Sequence, residues 1–151
     1  FLSHRIHLLL KTIQNQMNKP TLLTTLILLL MFSATSFGEW AAVVETLDGN
    51  TLYVEFETIK KDGGIIYYWR LTDYLKPNKS GDLSVKSYNE VDCDTPLKWR
   101  GLSYLFYSES MGRGSAISTD NKKREWLYPV PGSSGEDILK VVCTYAKKGL
   151  P

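Results

Sequence analysis

Histidine is close to absent from this 151-residue chain: there are two, His4 and His7, and none follows. Beyond position 7 the chain therefore offers no Ser-His-Asp triad, no Cys-His pair and no histidine ligand for zinc. Cysteine is nearly as scarce. Cys93 and Cys143 stand alone, too few for a four-sulfur site. Long apolar runs are missing too: the stretch from Leu22 to Phe32 covers about 11 residues, against roughly 20 for a helix that spans a bilayer. A large surplus of one charge is also lacking, with 18 Lys and Arg against 16 Asp and Glu, so nothing in the global charge points to nucleic acid.

The short apolar run has a context. From Met17 the chain reads a cationic start at Lys19, the run itself, then small and polar residues, which is the pattern of a secretory signal peptide. Ser36 and Gly38 place small side chains three and one positions before a cut at Glu39. Residues 1–16 begin with Phe and read as a non-native upstream extension, 17–38 as the signal peptide, and 39–151 as the mature domain. Removing Arg5, Lys11 and Lys19 leaves 15 basic residues against the same 16 acidic ones, one net negative charge. No histidine remains in that mature part. No cysteine follows the cut to carry a lipid, so the expectation is a periplasmic or secreted protein with no membrane anchor after cleavage. In an oxidising compartment two cysteines most simply form one disulfide, Cys93 to Cys143, the alternative being two buried free thiols. Closing a loop of about 50 residues this way is worth on the order of 4 kcal/mol in the chain-entropy account.

The mature part carries fifteen aromatic residues, enough large apolar surface for one small core, and no repeat or linker divides it. Trp40 to Thr46 and Thr51 to Thr58 are β-rich runs around Asp48-Gly49-Asn50, a hairpin signal. Leu52, Val54 and Phe56 alternate with polar neighbours at the period of a half-buried strand. Gly63-Gly64 marks a turn before a strand from Ile65 to Tyr74. Leu83 to Cys93 alternates again, with Leu83, Val85, Ser87, Asn89 and Val91 on one side, and Leu97 to Tyr107 makes a fifth run. Met111 to Arg124 reads as a long surface loop, and Glu125 to Val130 as a last short strand. A helix closes the chain: a serine cap at Ser133-Ser134, Glu136 and Asp137 in its first turn, and Ile138, Leu139, Val142, Cys143 and Ala146 on one stripe. The fold class is therefore α+β, an antiparallel β-sheet meander packed by one C-terminal helix in a single small domain.

Few residue clusters suggest chemistry, and each has a simpler reading. Asp92 and Asp94 flank Cys93 as paired carboxylates, but a solvated strand end explains them, and Asp48-Gly49-Asn50 is a turn before it is a calcium loop. Gly112-Arg113-Gly114 lacks the helix that a phosphate-cradling loop needs directly after it. Lys122-Lys123-Arg124 is bracketed by Asp120 and Glu125, the pattern of a solvated loop. Asn78-Lys79-Ser80 matches a glycosylation triplet, which a bacterial-looking signal peptide leaves without a use. No cofactor, metal or catalytic set emerges. What remains is aromatic surplus: Tyr67, Tyr68, Trp69 and Tyr74 crowd one strand and cannot all face inward, and exposed Tyr and Trp are favoured at protein interfaces.

The chain from Glu39 to Lys148 resembles the surface-adhesin protein E family. The resemblance is carried by Trp40 and the opening hairpin, by Tyr67-Tyr68-Trp69-Arg70-Leu71-Thr72-Asp73-Tyr74, and by Ser84-Val85-Lys86 leading to Glu90-Val91-Asp92-Cys93. Met111-Gly112-Arg113-Gly114, Trp126, Pro129-Val130-Pro131-Gly132-Ser133 and the helix with Cys143 complete it. It implies an antiparallel sheet with a C-terminal helix, a Cys93–Cys143 disulfide, homodimers, and binding of host matrix proteins such as vitronectin and laminin. The adhesin that names the family is a lipoprotein, whereas no lipid-bearing cysteine is expected here. The functional expectation is an exported, non-enzymatic protein-binding domain, with Tyr67, Tyr68, Trp69, Tyr74 and Arg113 as partner-binding residues. The alternative is a periplasmic or secreted inhibitor that inserts the loop around Arg113 into a hydrolase such as lysozyme or a protease.

Overall fold

The computed structural model describes residues 38–149. The expected upstream extension and the signal segment, up to residue 37, lie outside the described residues. The chain from Gly38 onward forms one unit. Its strands are β1 (Trp40–Glu45), β2 (Thr51–Glu55), β3 (Lys60–Asp62), β4 (Ile65–Asp73), β5 (Ser84–Asp92), β6 (Lys98–Tyr107) and β7 (Ser118–Asp120). One helix, α1 (Ser134–Lys147), follows them.

All the strands belong to one antiparallel sheet in the order β1-β2-β4-β5-β6-β7, with β3 also paired to β4. This is the expected meander, except that β2 and β3 follow one another in the chain without pairing and both lie against β4. Asp48-Gly49 turns β1 into β2 as its dipeptide predicts: the Gly49 N–H donates to the Thr46 carbonyl at 2.9 Å, and Gly49 takes a φ of 77° that a side chain would resist. Gly63 and Gly64, both at positive φ, form the two-residue turn between β3 and β4. In the connection after β4 the Asn78 side-chain oxygen accepts from the Ser80 and Asp82 N–H groups at 2.8 and 3.0 Å. The asparagine of the glycosylation triplet is thus engaged in holding its own loop.

Three sequence expectations change. The end of the second run winds into a 3-10 turn, Phe56–Thr58, and the chain then re-enters the sheet as β3, because β2 and β3 pair with different halves of β4. The stretch Met111 to Arg124 is not all loop: it supplies the edge strand β7, opposite Tyr104 to Phe106. Glu125 to Val130 is not a strand, since it makes a single bridge from Leu127 to Trp99. Pro129 and Pro131 carry no N–H with which to extend that ladder.

Helix α1 begins as its sequence dictates. The Ser133 hydroxyl accepts from the Glu136 N–H at 3.2 Å, and the Glu136 carboxylate reaches back to the Gly132 N–H at 2.8 Å. The same carboxylate is held below its ordinary value by that backbone N–H first and by Lys140 second. The five residues of the predicted stripe, Ile138, Leu139, Val142, Cys143 and Ala146, are the ones that α1 buries. They meet Leu52, Val54, Ile66, Tyr68 and Val91 from the sheet. Ile138 and Val142 are fully buried, and each such side chain contributes about 1.5–3 kcal/mol. Cys93, just past β5, is bonded to Cys143 with Cα atoms 5.7 Å apart, so the one disulfide clamps α1 to the sheet.

Candidate interaction site on the helix-free sheet face

Because side chains alternate across a strand, β4 divides its aromatics between the two faces. Ile66 and Tyr68 point to the helix side and are buried, Tyr68 completely. This corrects the expectation that Tyr68 meets a partner: the period of two places it in the core beneath α1. Tyr67 and Trp69 point to the other face, where they are half-buried.

On that face they are joined by a residue that the sequence reading passed over. Tyr88 of β5 stands directly opposite Trp69 in the register. Its ring lies 5.1 Å from Trp69 and 6.2 Å from Tyr67, so the three form one row across two strands. The signal for Tyr88 was present: it occupies the opposite phase to Ser87 and Asn89 in the alternation of β5. Tyr67 keeps its proton, since burial first and the neighbouring Glu90 second raise its phenol above the ordinary value of 10.0.

Charge flanks the aromatic row, and most of it is already paired. Glu90, opposite Tyr67, is buried and accepts from Arg100 and from Lys123, the latter at 3.2 Å. Burial by itself raises the Glu90 carboxyl, but the hydrogen bonds from Arg100 and Lys123 outweigh it and hold the group below its ordinary value. Arg100 also stacks over Trp126 at 4.2 Å. Asp92 pairs with Lys98 at 3.3 Å and accepts from the Asp94 N–H at 3.1 Å, which makes the Asp92/Asp94 pair a strand end rather than a cation cradle. Of the basic triplet, Lys123 engages Glu90 and Arg124 engages Asp120. Among the described residues no group of acids, cysteines or histidines is arranged to hold a metal ion.

At the other end of the face a 3-10 turn, Ser110–Gly112, folds down onto β4 and β5. The Met111 N–H donates to Asp73 Oδ1 at 2.6 Å and the Gly112 N–H to Ser84 Oγ at 2.8 Å. The Ser84 hydroxyl in turn donates to the Glu109 carbonyl at 2.5 Å, and Lys86 Nζ donates to the Gly112 carbonyl at 3.1 Å. Lys86 is further held between the rings of Trp40 and Tyr107, at 5.8 and 5.1 Å. Arg113 follows this pinned turn and is exposed. Tyr74, just beyond β4, is half-buried, and its N–H donates to the Leu83 carbonyl at 2.9 Å. The structure therefore brings Tyr67 and Trp69 together, removes Tyr68, and leaves Arg113 at a separate tip.

A single antiparallel sheet with a disulfide-tied helix on one face and an aromatic row on the other defines a small α+β module. The chain belongs to the surface-adhesin protein E family, whose model matches residues 40–144. Crystal structures of Haemophilus influenzae protein E share the fold. One matches at 20% identity and a TM-score of 0.53, covering 76% of this chain and 90% of the other. A second crystal form matches at 20% identity and 0.52, covering 72% and 88%. Protein E of the non-typeable organism matches at 18% identity and 0.51, covering 78% and 83%. Among curated proteins no relative matches in sequence.

Proposed function

We propose that this chain is an exported, non-enzymatic protein-binding module, periplasmic or secreted, that meets its partner through Tyr67, Trp69 and Tyr88. One observation carries the reading: three half-buried aromatic rings form a continuous row on the face without the helix. Rigid rings of this kind supply apolar contact area at low entropic cost, and Trp and Tyr dominate binding hot spots. Membership of a surface-adhesin family supports a protein partner. A host matrix protein such as vitronectin or laminin is the partner class that the resemblance implies, and a second copy of the chain is the other surface this row would fit.

Binding of the purified protein to immobilised vitronectin, laminin and periplasmic extract tests the reading, alongside Tyr67→Ala/Trp69→Ala/Tyr88→Ala. Loss of about tenfold or more in affinity, of the size expected for hot-spot truncation, is the supporting result. Capture of nothing above background, or unchanged capture by a folded triple variant, counts against it.

A second reading, inhibition of a hydrolase, draws support from the exposed Arg113 beside a turn whose backbone is held by Asp73, Ser84 and Lys86. A pre-set loop loses little entropy on insertion into a cleft. Inhibition of lysozyme or a protease that disappears in Arg113→Ala is its test.

A further inference from the structure

Asp82, near the end of the connection between β4 and β5, is a charged residue that is only 5% exposed. Its N–H donates to Asn78 Oδ1 at 3.0 Å, and its carbonyl accepts from the Asn78 N–H at 2.9 Å. The next residue, Leu83, donates its N–H to the Tyr107 carbonyl at 2.9 Å, which sets this end of the loop against β6. From the other side of β6 the Ile117 N–H donates to the Phe106 carbonyl at 2.8 Å, and Ser118 of β7 stands opposite Phe106. Loop and edge strand thus enclose one cavity of about 270 Å³, lined by Ser80, Asp82, Phe106, Ile117 and Ser118.

The carboxylate of Asp82 is only half satisfied. Oδ2 accepts from Asn78 Nδ2 at 2.9 Å. Oδ1 accepts from no donor among the described residues, and unlike Tyr68 Oη, Arg70 Nε and Asn89 Oδ1 it is not sealed from solvent. Because the rest of the residue is covered, the cavity is where that oxygen opens. No Lys or Arg among the described residues pairs with Asp82, Lys79 of the same loop included. A buried charge is ordinarily paired, and one neutral amide donor supplies only part of what a carboxylate loses with its water. The loop does not need this charge for its shape, since the asparagine side chain and the main chain already hold it.

We propose that this cavity binds a primary alkylammonium group, with Asp82 Oδ1 taking the ammonium and Phe106 and Ile117 taking the alkyl stem. Phe106 is half-buried and Ile117 is 56% exposed, so the cavity offers an apolar wall beside its charge. That pairing suits a cation on a hydrocarbon chain, whose stem packs while its head is hydrogen-bonded. Ser80 and Ser118, both exposed at the rim, carry hydroxyls able to accept the remaining ammonium protons. A guanidinium fits less well, because its two-point fork needs both carboxylate oxygens and Asn78 holds one of them. A hard metal ion fits worst: it takes six or more oxygens and gains nothing from Phe106 and Ile117.

Titration of the folded protein with n-butylammonium chloride tests the site, with the amide signals of Ser80, Asp82 and Ser118 followed by NMR. Tetramethylammonium chloride, a cation with no N–H to donate, is the control. Saturable shifts with butylammonium and none with tetramethylammonium are the expected result. Asp82→Asn keeps the side-chain volume and an acceptor for Asn78 but removes the charge, and should weaken binding about tenfold or more. Ile117→Ser, on the exposed wall and away from the loop, should weaken it about threefold. Absence of a saturable shift in the wild type overturns the site, as does an equal response to tetramethylammonium. Unchanged binding by folded Asp82→Asn or by Ile117→Ser overturns it as well. Parallel titration with Nα-acetyl-lysine amide separates the two sources of the group: tighter binding than butylammonium supports the site as a receptor for a lysine side chain of a protein, and weaker binding supports it as one for a free amine.

Discussion

Cys93 and Cys143 are 50 residues apart in the chain and bonded in the fold, one at the end of β5 and the other on the buried stripe of α1. Among the described residues that bond is the only covalent link between helix and sheet apart from the main chain itself. Helix and sheet also share a core, so the link adds to packing rather than replacing it.

Cys93→Ala/Cys143→Ala should therefore fold but lose stability. A loop of this length gives on the order of 4 kcal/mol in the entropic account, and measured losses for native disulfides run at about 2–5 kcal/mol. Urea unfolding of the variant against the oxidised wild type measures it, and a difference under about 1 kcal/mol would show that helix packing alone holds the fold.

The cap of α1 offers a smaller, cleaner change. Ser133→Ala removes the acceptor for the Glu136 N–H, at an expected cost of about 1 kcal/mol, with Ser133→Asp close to neutral. Thermal unfolding of the two variants side by side separates loss of the cap from loss of side-chain volume.

Glu90 gives the fold a pH dependence of known sign. Its folded value lies below the ordinary 4.5, so it stabilises the protein above the unfolded carboxylate value, and that contribution fades as pH falls through the lower folded value. Glu90→Gln should weaken the protein at pH 7 by about 1.5–3 kcal/mol, the range for hydrogen bonds to charged groups, and should flatten the acid limb of stability against pH. Denaturant midpoints measured from pH 7 down to pH 3 decide it, and parallel curves for the two proteins would reject the assignment.

Ser84 is fully buried and serves both the Glu109 carbonyl and the Gly112 N–H. Ser84→Ala leaves both groups without that partner, at an expected cost of about 1–3 kcal/mol. The turn before Arg113 should loosen at the same time. Faster amide hydrogen exchange at Gly112, with β4 unchanged, is the expected pattern; uniform exchange across the sheet would mean that the turn is not a separate unit.

Much of the architecture was legible because it rests on local rules. Asp48-Gly49 and Gly63-Gly64 announce their hairpins by backbone freedom, and Ser133 with Glu136 announces the start of α1. The buried stripe of α1 was readable residue by residue, since a helix of period 3.6 shows one face to the core. β3 and β7 escaped notice because three residues are too few for a pattern, and they exist only through partners supplied by β4 and β6. Glu125 to Val130 failed in the reverse direction: strand-like side chains found one bridge to β6 and prolines where a ladder would need N–H groups.

The candidate site divides along the same line. The sequence by itself determined that Tyr67 and Trp69 share one face and that Tyr68 takes the other, because side chains alternate along any strand. It also determined that Cys93 and Cys143 were the sole thiols to be joined. Only the tertiary structure decided which face α1 covers, and with it that Tyr68 is core while Tyr67 and Trp69 remain half-buried beside Tyr88. It alone also set Asn89 of β5 opposite Tyr68, and left Arg70 unpaired with any carboxylate among the described residues. Alternation is a property of one strand, whereas coverage and register depend on segments far apart in the chain.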